Sequence, residues 1–211
     1  MPWSIARLRG ISLSHRLRTR TVTVAAFALW IPAVGWGLQT LFRYSFTPGH
    51  SASPPRDWPG SSELQLAANQ STLLIFAHPQ CPCSEATVGE LAQIVARCPR
   101  KLSAYVLFYA PESMGAEWVR GKLWTEAAAI PGVRVIADHN GRETRRFGAA
   151  TSGQALLYDP AGRLVFYGGI TAARGHFGPN DGVDSVISLL DHGSSKLHSA
   201  PVFGCSLLGG A

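Results

Sequence analysis

The chain has 211 residues and a hydrophobic fraction of 46%, enough for one ordinary domain plus appendages and too apolar for wholesale disorder. Its net charge of +6 is unevenly spread: Arg7, Arg9, Arg16, Arg18, Arg20 and Arg43 are the only charged side chains in the first 43 residues, and the remainder balances 13 Lys/Arg against 13 Asp/Glu. A neutral body excludes the basic face that nucleic-acid binding needs.

The arginines flank an apolar run. Val22–Phe42, VTVAAFALWIPAVGWGLQTLF, is 21 residues without a charge, enough helix to cross about 30 Å of hydrocarbon. Pro32, Gly35 and Gly37 would weaken a soluble helix but are tolerated in a span. Five arginines before the run and one after it place the N-terminus in the cytoplasm and the rest of the chain outside. The run is longer than a signal-peptide core and no clear A-x-A site follows, so an uncleaved anchor is preferred to a cleaved leader or a buried core helix. The expected division is a cytoplasmic basic segment at 1–21, a transmembrane signal anchor at 22–42, a Pro/Ser-rich linker at 43–61, a domain at 62–192 and a tail at 193–211. That puts the protein in the cytoplasmic membrane as a single-pass chain, its domain periplasmic in a Gram-negative cell. Disulfides are chemically permitted there.

Past the linker the pattern alternates. Ser71–Ala77 is a buried-strand run, and Ser84–Arg97 carries Val88, Leu91 and Val95 at helical spacing, with Cys98 on the same apolar face and Pro99 closing it. Leu102–Ala110 is a second strand, Ala116–Ala129 a helix, Val133–Ala137 a third strand and Glu143–Phe147 a short helix. Asp159-Pro160-Ala161-Gly162 is a turn between two β-rich runs, QALLY and RLVFYGG. A last helix covers Gly182–Leu190. Strands alternating with helices and ending in a hairpin imply an α/β domain with a mixed sheet.

Between the first strand and the first helix lies HPQCPCSEAT. A thiol attacks as its thiolate, and the free N–H groups and dipole at a helix N-terminus favour that anion. Pro82 suits the first helical position, where a missing N–H costs nothing. Cys81 is expected to be the more exposed sulfur and the nucleophile, with Cys83 in the first turn as its resolving thiol. A C-x-C disulfide closes a smaller ring than C-x-x-C, so a strained and oxidising bond is expected. The bland alternatives are a static bridge or inert thiols.

Cysteines after the first core strand, with a D-P-x-G hairpin before the last helix, resemble the thioredoxin-like superfamily, and within it the membrane-anchored, exported thiol-disulfide proteins of RedB type, over residues 62–205. The resemblance implies a three-layer thioredoxin-like fold and thiol-disulfide exchange with the thiols of exported or membrane proteins. Two departures stand out. The family's C-x-x-C is C-x-C here. Where the family carries a cis-proline facing the cysteines, this chain has Thr151-Ser152-Gly153, and Thr151 and Ser152 are expected to face Cys81. Peroxiredoxins carry Thr or Ser where this chain has His78, which argues against a peroxidase.

In such a fold the loop GGITAARGHFGPNDG at 168–182 borders the cysteines, so Arg174 could stabilise a thiolate and His176 could act as base or ligand. It could equally be a plain connection. Cys205, in the apolar APVFGCSLL, is either a third redox partner docking back on Cys81 or a free buried thiol. Cys98 reads as core packing. Cys81, Cys83, His78 and Cys205 also make a soft ligand set, so copper binding or delivery is the alternative function and copper the alternative cofactor; the oxidoreductase itself needs none. A redox-silent scaffold is the third reading.

Overall fold

The computed structural model describes residues 6–50 and 53–208, with side chains in the first helix described from Leu17 onward. Residues 1–5, 51–52 and 209–211, in the basic segment, linker and tail, lie outside the described residues. The chain divides into two units after Tyr44.

The first unit is helical. Helix α1 spans Ala6–Phe46, and its stretch Leu17–Phe46, 30 residues, is long and apolar enough to cross a membrane. It contains the uncharged run 22–42. None of the span is buried by protein, and large side chains such as Leu29 and Trp36 point outward all round it. A helix apolar on every side, without protein cover, fits a membrane anchor. The hydroxyls of Thr21, Thr23 and Thr40 donate to the carbonyls of Leu17, Thr19 and Trp36, so these polar groups are satisfied within the helix.

The second unit is a six-stranded mixed sheet: β1 (Ser71–Ala77), β2 (Leu102–Ala110), β3 (Val133–His139), β4 (Gln154–Tyr158), β5 (Leu164–Gly169) and β6 (Ser199–Ala200), ordered β3-β2-β1-β4-β5-β6. β1, β2 and β3 run parallel, β4 pairs antiparallel with β1, and β5 antiparallel with β4. This is the thioredoxin-like arrangement expected from the sequence. Alternation of side chains sends Leu73, Ile75, Val106 and Phe108 to one face, where α2 (Pro82–Arg97), α4 (Lys122–Ala128) and α6 (Asp181–His192) cover them. Leu74, Phe76, Leu107 and Tyr158 go to the other face, under Phe147 and Trp58. Both faces being covered is why β1 and β2 read as continuous apolar runs.

The expected helix at 116–129 is two: α3 (Ala116–Val119) and α4, separated at Arg120-Gly121, where Gly121 is extended (φ −81°, ψ −162°). The short helix α5 is Arg142–Arg146, and Asp138 caps it, its carboxylate accepting from the N–H of Glu143 and from the N–H and hydroxyl of Thr144. The second half of the segment read as linker lies on the domain. Trp58 N–H donates to Gly162 O, and Tyr158 Oη donates to Pro55 O. The reason is the indole: Trp58 packs edge-on to Phe147 and Tyr158, with ring centroids at 5.1 and 5.2 Å. Cys98 is fully buried at the end of α2, as its apolar position required.

Phe147 is fully buried and joins Trp58, Phe76 and Tyr158. Phe147→Ala is therefore expected to cost about 3–5 kcal/mol of unfolding free energy, measured by urea denaturation of the full chain in detergent.

Candidate functional site

Strand β1 delivers the chain to a turn at 78–81, and α2 starts on Pro82 with Cys81 as its extended N-cap residue (φ −103°, ψ 124°). Proline at the first helical position brings the N–H groups of Cys83 and Ser84 close to the Cys81 sulfur, the Ser84 N–H also donating to Cys81 O at 2.9 Å. The Cys83 thiol donates the strongest hydrogen bond to Cys81, and the Ser152 hydroxyl adds another. Against burial, these donors hold the Cys81 thiol down from 9.0 to about 4. Cys83 is driven the other way, well above the usual thiol range, because its proton is committed to Cys81 and because it is buried next to that negative charge.

Cys81 was expected to be the more exposed sulfur, but both sulfurs are buried and exposure barely separates them. Cys81 is 6% exposed and Cys83 5%. The cover over Cys81 comes from the tail, which reaches the site by backbone pairing. β6 adds to β5; farther on, Ser152 N–H donates to Cys205 O at 2.8 Å and Leu207 N–H to Ala150 O at 2.9 Å, with Thr151 opposite Ser206. Gly204 permits the approach, since a Cβ there would strike Ser152 O. Cys205 Sγ thus comes to 3.8 Å from Cys81 Sγ. Burial and the Cys81 charge push the Cys205 thiol up, and the Arg174 guanidinium opposes them.

The residues at 151–153 split in their roles. Ser152 is fully buried beside the cysteines and its Oγ meets Ser84 Oγ at 2.7 Å. Thr151 turns away, its hydroxyl donating to His50 O at 3.1 Å. Gly153 sits at φ +87° with its N–H on Phe76 O, where a Cβ would meet Thr87 Oγ1 at 2.7 Å. Ser84 ties the two walls together, because its Oγ also accepts from His78 N–H at 2.9 Å.

The loop at 168–182 does border the cysteines. Gly175 N–H reaches the Cys83 sulfur. Arg174 lies beside Cys205 rather than Cys81, donating from Nη1 to Gly204 O and from Nη2 to Thr47 O. His176 is exposed, with Nδ1 2.8 Å from Arg174 O. His78 is half-buried and edge-on to Trp118 at 5.2 Å. Burial lowers its pKa against the pull of the Cys81 thiolate, and its Nδ1 accepts from Gln80 N–H. It is a neutral wall of the cleft. Among the described residues, no three His, Cys, Asp or Glu side chains stand as the ligands of a metal ion.

Sequence reasoning missed Ser84, and it missed the cleft before Cys81, which Tyr109, Met114 and Trp118 line. Ser84 was legible as the residue after C-x-C in a helix's first turn; nothing local marks Tyr109, Met114 or Trp118.

No family model and no curated protein matches the chain. Solved structures do. A hypothetical protein from Sinorhizobium meliloti is 20% identical, with 79% of this chain and 97% of that one covered at a TM-score of 0.55. An uncharacterized conserved protein from Geobacillus kaustophilus is 18% identical, with coverage of 77% and 92% and a TM-score of 0.56. An exposed lipoprotein thioredoxin from Streptococcus pneumoniae aligns at 15% identity, 58% and 84% coverage and a TM-score of 0.43. At these identities the likeness is one of fold.

Ser152→Ala removes one donor from Cys81 and none from the sheet. The midpoint of Cys81 alkylation against pH is expected to rise from about 4 towards 9.0, with the thiolate fraction below the midpoint falling about tenfold, equivalent to about 1.4 kcal/mol. An unchanged midpoint would remove Ser152 from the site.

Proposed function

We propose that the protein is a membrane-tethered thiol-disulfide oxidoreductase, held by α1 in the cytoplasmic membrane, with its domain outside the cytoplasm, acting on the thiols of exported or membrane proteins. The observation that carries this reading is the placement of buried Cys81 at the N-cap of α2, with Pro82 at the first helical position, Cys205 Sγ at 3.8 Å and the Ser84–Ser152 hydroxyl pair beside it. A buried sulfur kept anionic in this way is a poised nucleophile, since the thiolate is the attacking species. The excess of arginines before the apolar span supports the orientation.

In the reductive direction Cys81 attacks one sulfur of the partner's disulfide. A Cys81–partner bond forms, and the partner's other sulfur leaves with the bonding pair as a thiolate. A second thiol of this chain then attacks Cys81 Sγ and expels the partner's remaining sulfur. Two electrons pass from the chain's dithiol to the partner, and the reverse sequence donates a disulfide. The compartment's potential sets the direction. The aromatic cleft of Tyr109, Met114 and Trp118 gives the partner's flanking residues an apolar seat.

Exchange with oxidised glutathione is expected to vanish in Cys81→Ser. In the native chain the thiolate fraction is expected to level off just above pH 4 instead of climbing to 9.0. Stopped-flow kinetics from acid to alkaline pH read both. The same shift stabilises the reduced fold: the contribution is complete above the unfolded thiol's 9.0 and is lost as pH falls through about 4. A Cys81→Ser chain that exchanges like the native one contradicts the reading.

A further inference from the structure

Three thiols meet at the start of α2, and their surroundings separate the second from the third. Cys83 lies in the first turn, buried, with its S–H directed at Cys81 and a backbone N–H from Gly175 on its sulfur. Cys205 stands on the opposite side of the nucleophile. It is exposed, so its proton has a path to water, and its sulfur is 3.8 Å from Cys81 Sγ, leaving about 2 Å to close to a bond.

The tail is aimed there by a built contact. Two antiparallel backbone bonds, Ser152 N–H to Cys205 O and Leu207 N–H to Ala150 O, bracket the cysteine and fix its register. Leu207 anchors the tail in the second core cluster, with Leu74, Phe76 and Leu107. Arg174 holds Gly204 O and lies next to Cys205 Sγ, where a cation favours thiolate formation. Slipping the register by one residue would turn Cys205 to the other face.

We propose that Cys205 is the resolving thiol of this site and that Cys83 remains a thiol throughout, serving as the donor that steadies the Cys81 thiolate. This rests on the oxidoreductase reading above. When Cys81 is joined to the partner, Cys205 releases its proton to water and its thiolate attacks Cys81 Sγ. The Cys81–Cys205 bond forms, the Cys81–partner bond breaks, and the partner's sulfur leaves with the electron pair and takes up a proton. Cys81 and Cys205 supply both electrons. Cys83 neither gains nor loses any, and no other reagent is consumed.

The full chain, reduced and treated with one equivalent of Ellman's reagent, tests this. The first coloured thiolate reports the Cys81 mixed disulfide and the second its resolution. In Cys205→Ser the first phase is expected to persist while the second slows by about 100-fold or more, the loss expected when an intramolecular reactant is removed. In Cys83→Ser the second phase is expected to persist, with peptide mapping finding a Cys81–Cys205 disulfide. Gly204→Ala, whose methyl would strike Ser152 O, is expected to slow the second phase with both thiols present; equal thermal midpoints establish that the variants fold. Native-like resolution in Cys205→Ser with a stalled mixed disulfide in Cys83→Ser overturns the assignment and returns the role to Cys83. If not even the native chain shows a first phase, the oxidoreductase reading fails and the assignment with it.

Discussion

The meeting of the α2 N-terminus, the segment before β4 and the C-terminal tail at one buried sulfur, Cys81, is the constraint on which the rest of the site depends. Removing an anion from water is expensive unless donors replace the water, and the Cys83 and Ser84 N–H groups, the Cys83 thiol and the Ser152 hydroxyl all act to lower the Cys81 pKa. Two of them exist because α2 begins there with a proline at its first position. The other two come from side chains, one a turn into the helix and one from the far wall, and each must be placed by a different element.

The sheet supplies that placement. β1 and β4 pair antiparallel with Phe76 opposite Gln154, so the end of β1 and the start of β4 lie side by side. The turn carrying Cys81 therefore faces the segment carrying Ser152, and the Ser84–Ser152 hydroxyl contact at 2.7 Å locks the two. Just before β4 the chain uses Gly153 in the left-handed region with its N–H bonded to Phe76 O. The backbone edge just before it stays free to pair, and the tail takes it up. Gly168 and Gly169 continue the route, since a Cβ at either would meet the backbone of residues 200–202.

Much of this was legible in the sequence. Strands β1 and β2 read cleanly because both faces of the sheet are covered, and the Asp159–Gly162 turn announced the hairpin, its Gly162 N–H bonding Asp159 O. The start of α2 was marked by Pro82, which is why Cys81 could be placed at its N-cap. What depends on tertiary contact was hidden. A two-residue strand such as β6 has no periodicity to detect, Gly121 breaks a helix that composition alone would extend, and Trp58 draws part of a Pro/Ser-rich segment onto the domain. The Cys205 approach was one of two readings open from the sequence; what decides it is backbone pairing to Ala150 and Ser152, which carries no local signature.

The chain carries an apolar helix able to cross a membrane and a domain whose Cys81 sulfur sits under its own tail. The most direct test of the central claim is an equilibrium titration of the full chain across glutathione potentials, with disulfides mapped after differential alkylation. One reversible bond to Cys81, forming and breaking within the range of an exported compartment, is the predicted result. Thiols that stay free at every potential, or a bridge that never opens, would contradict it.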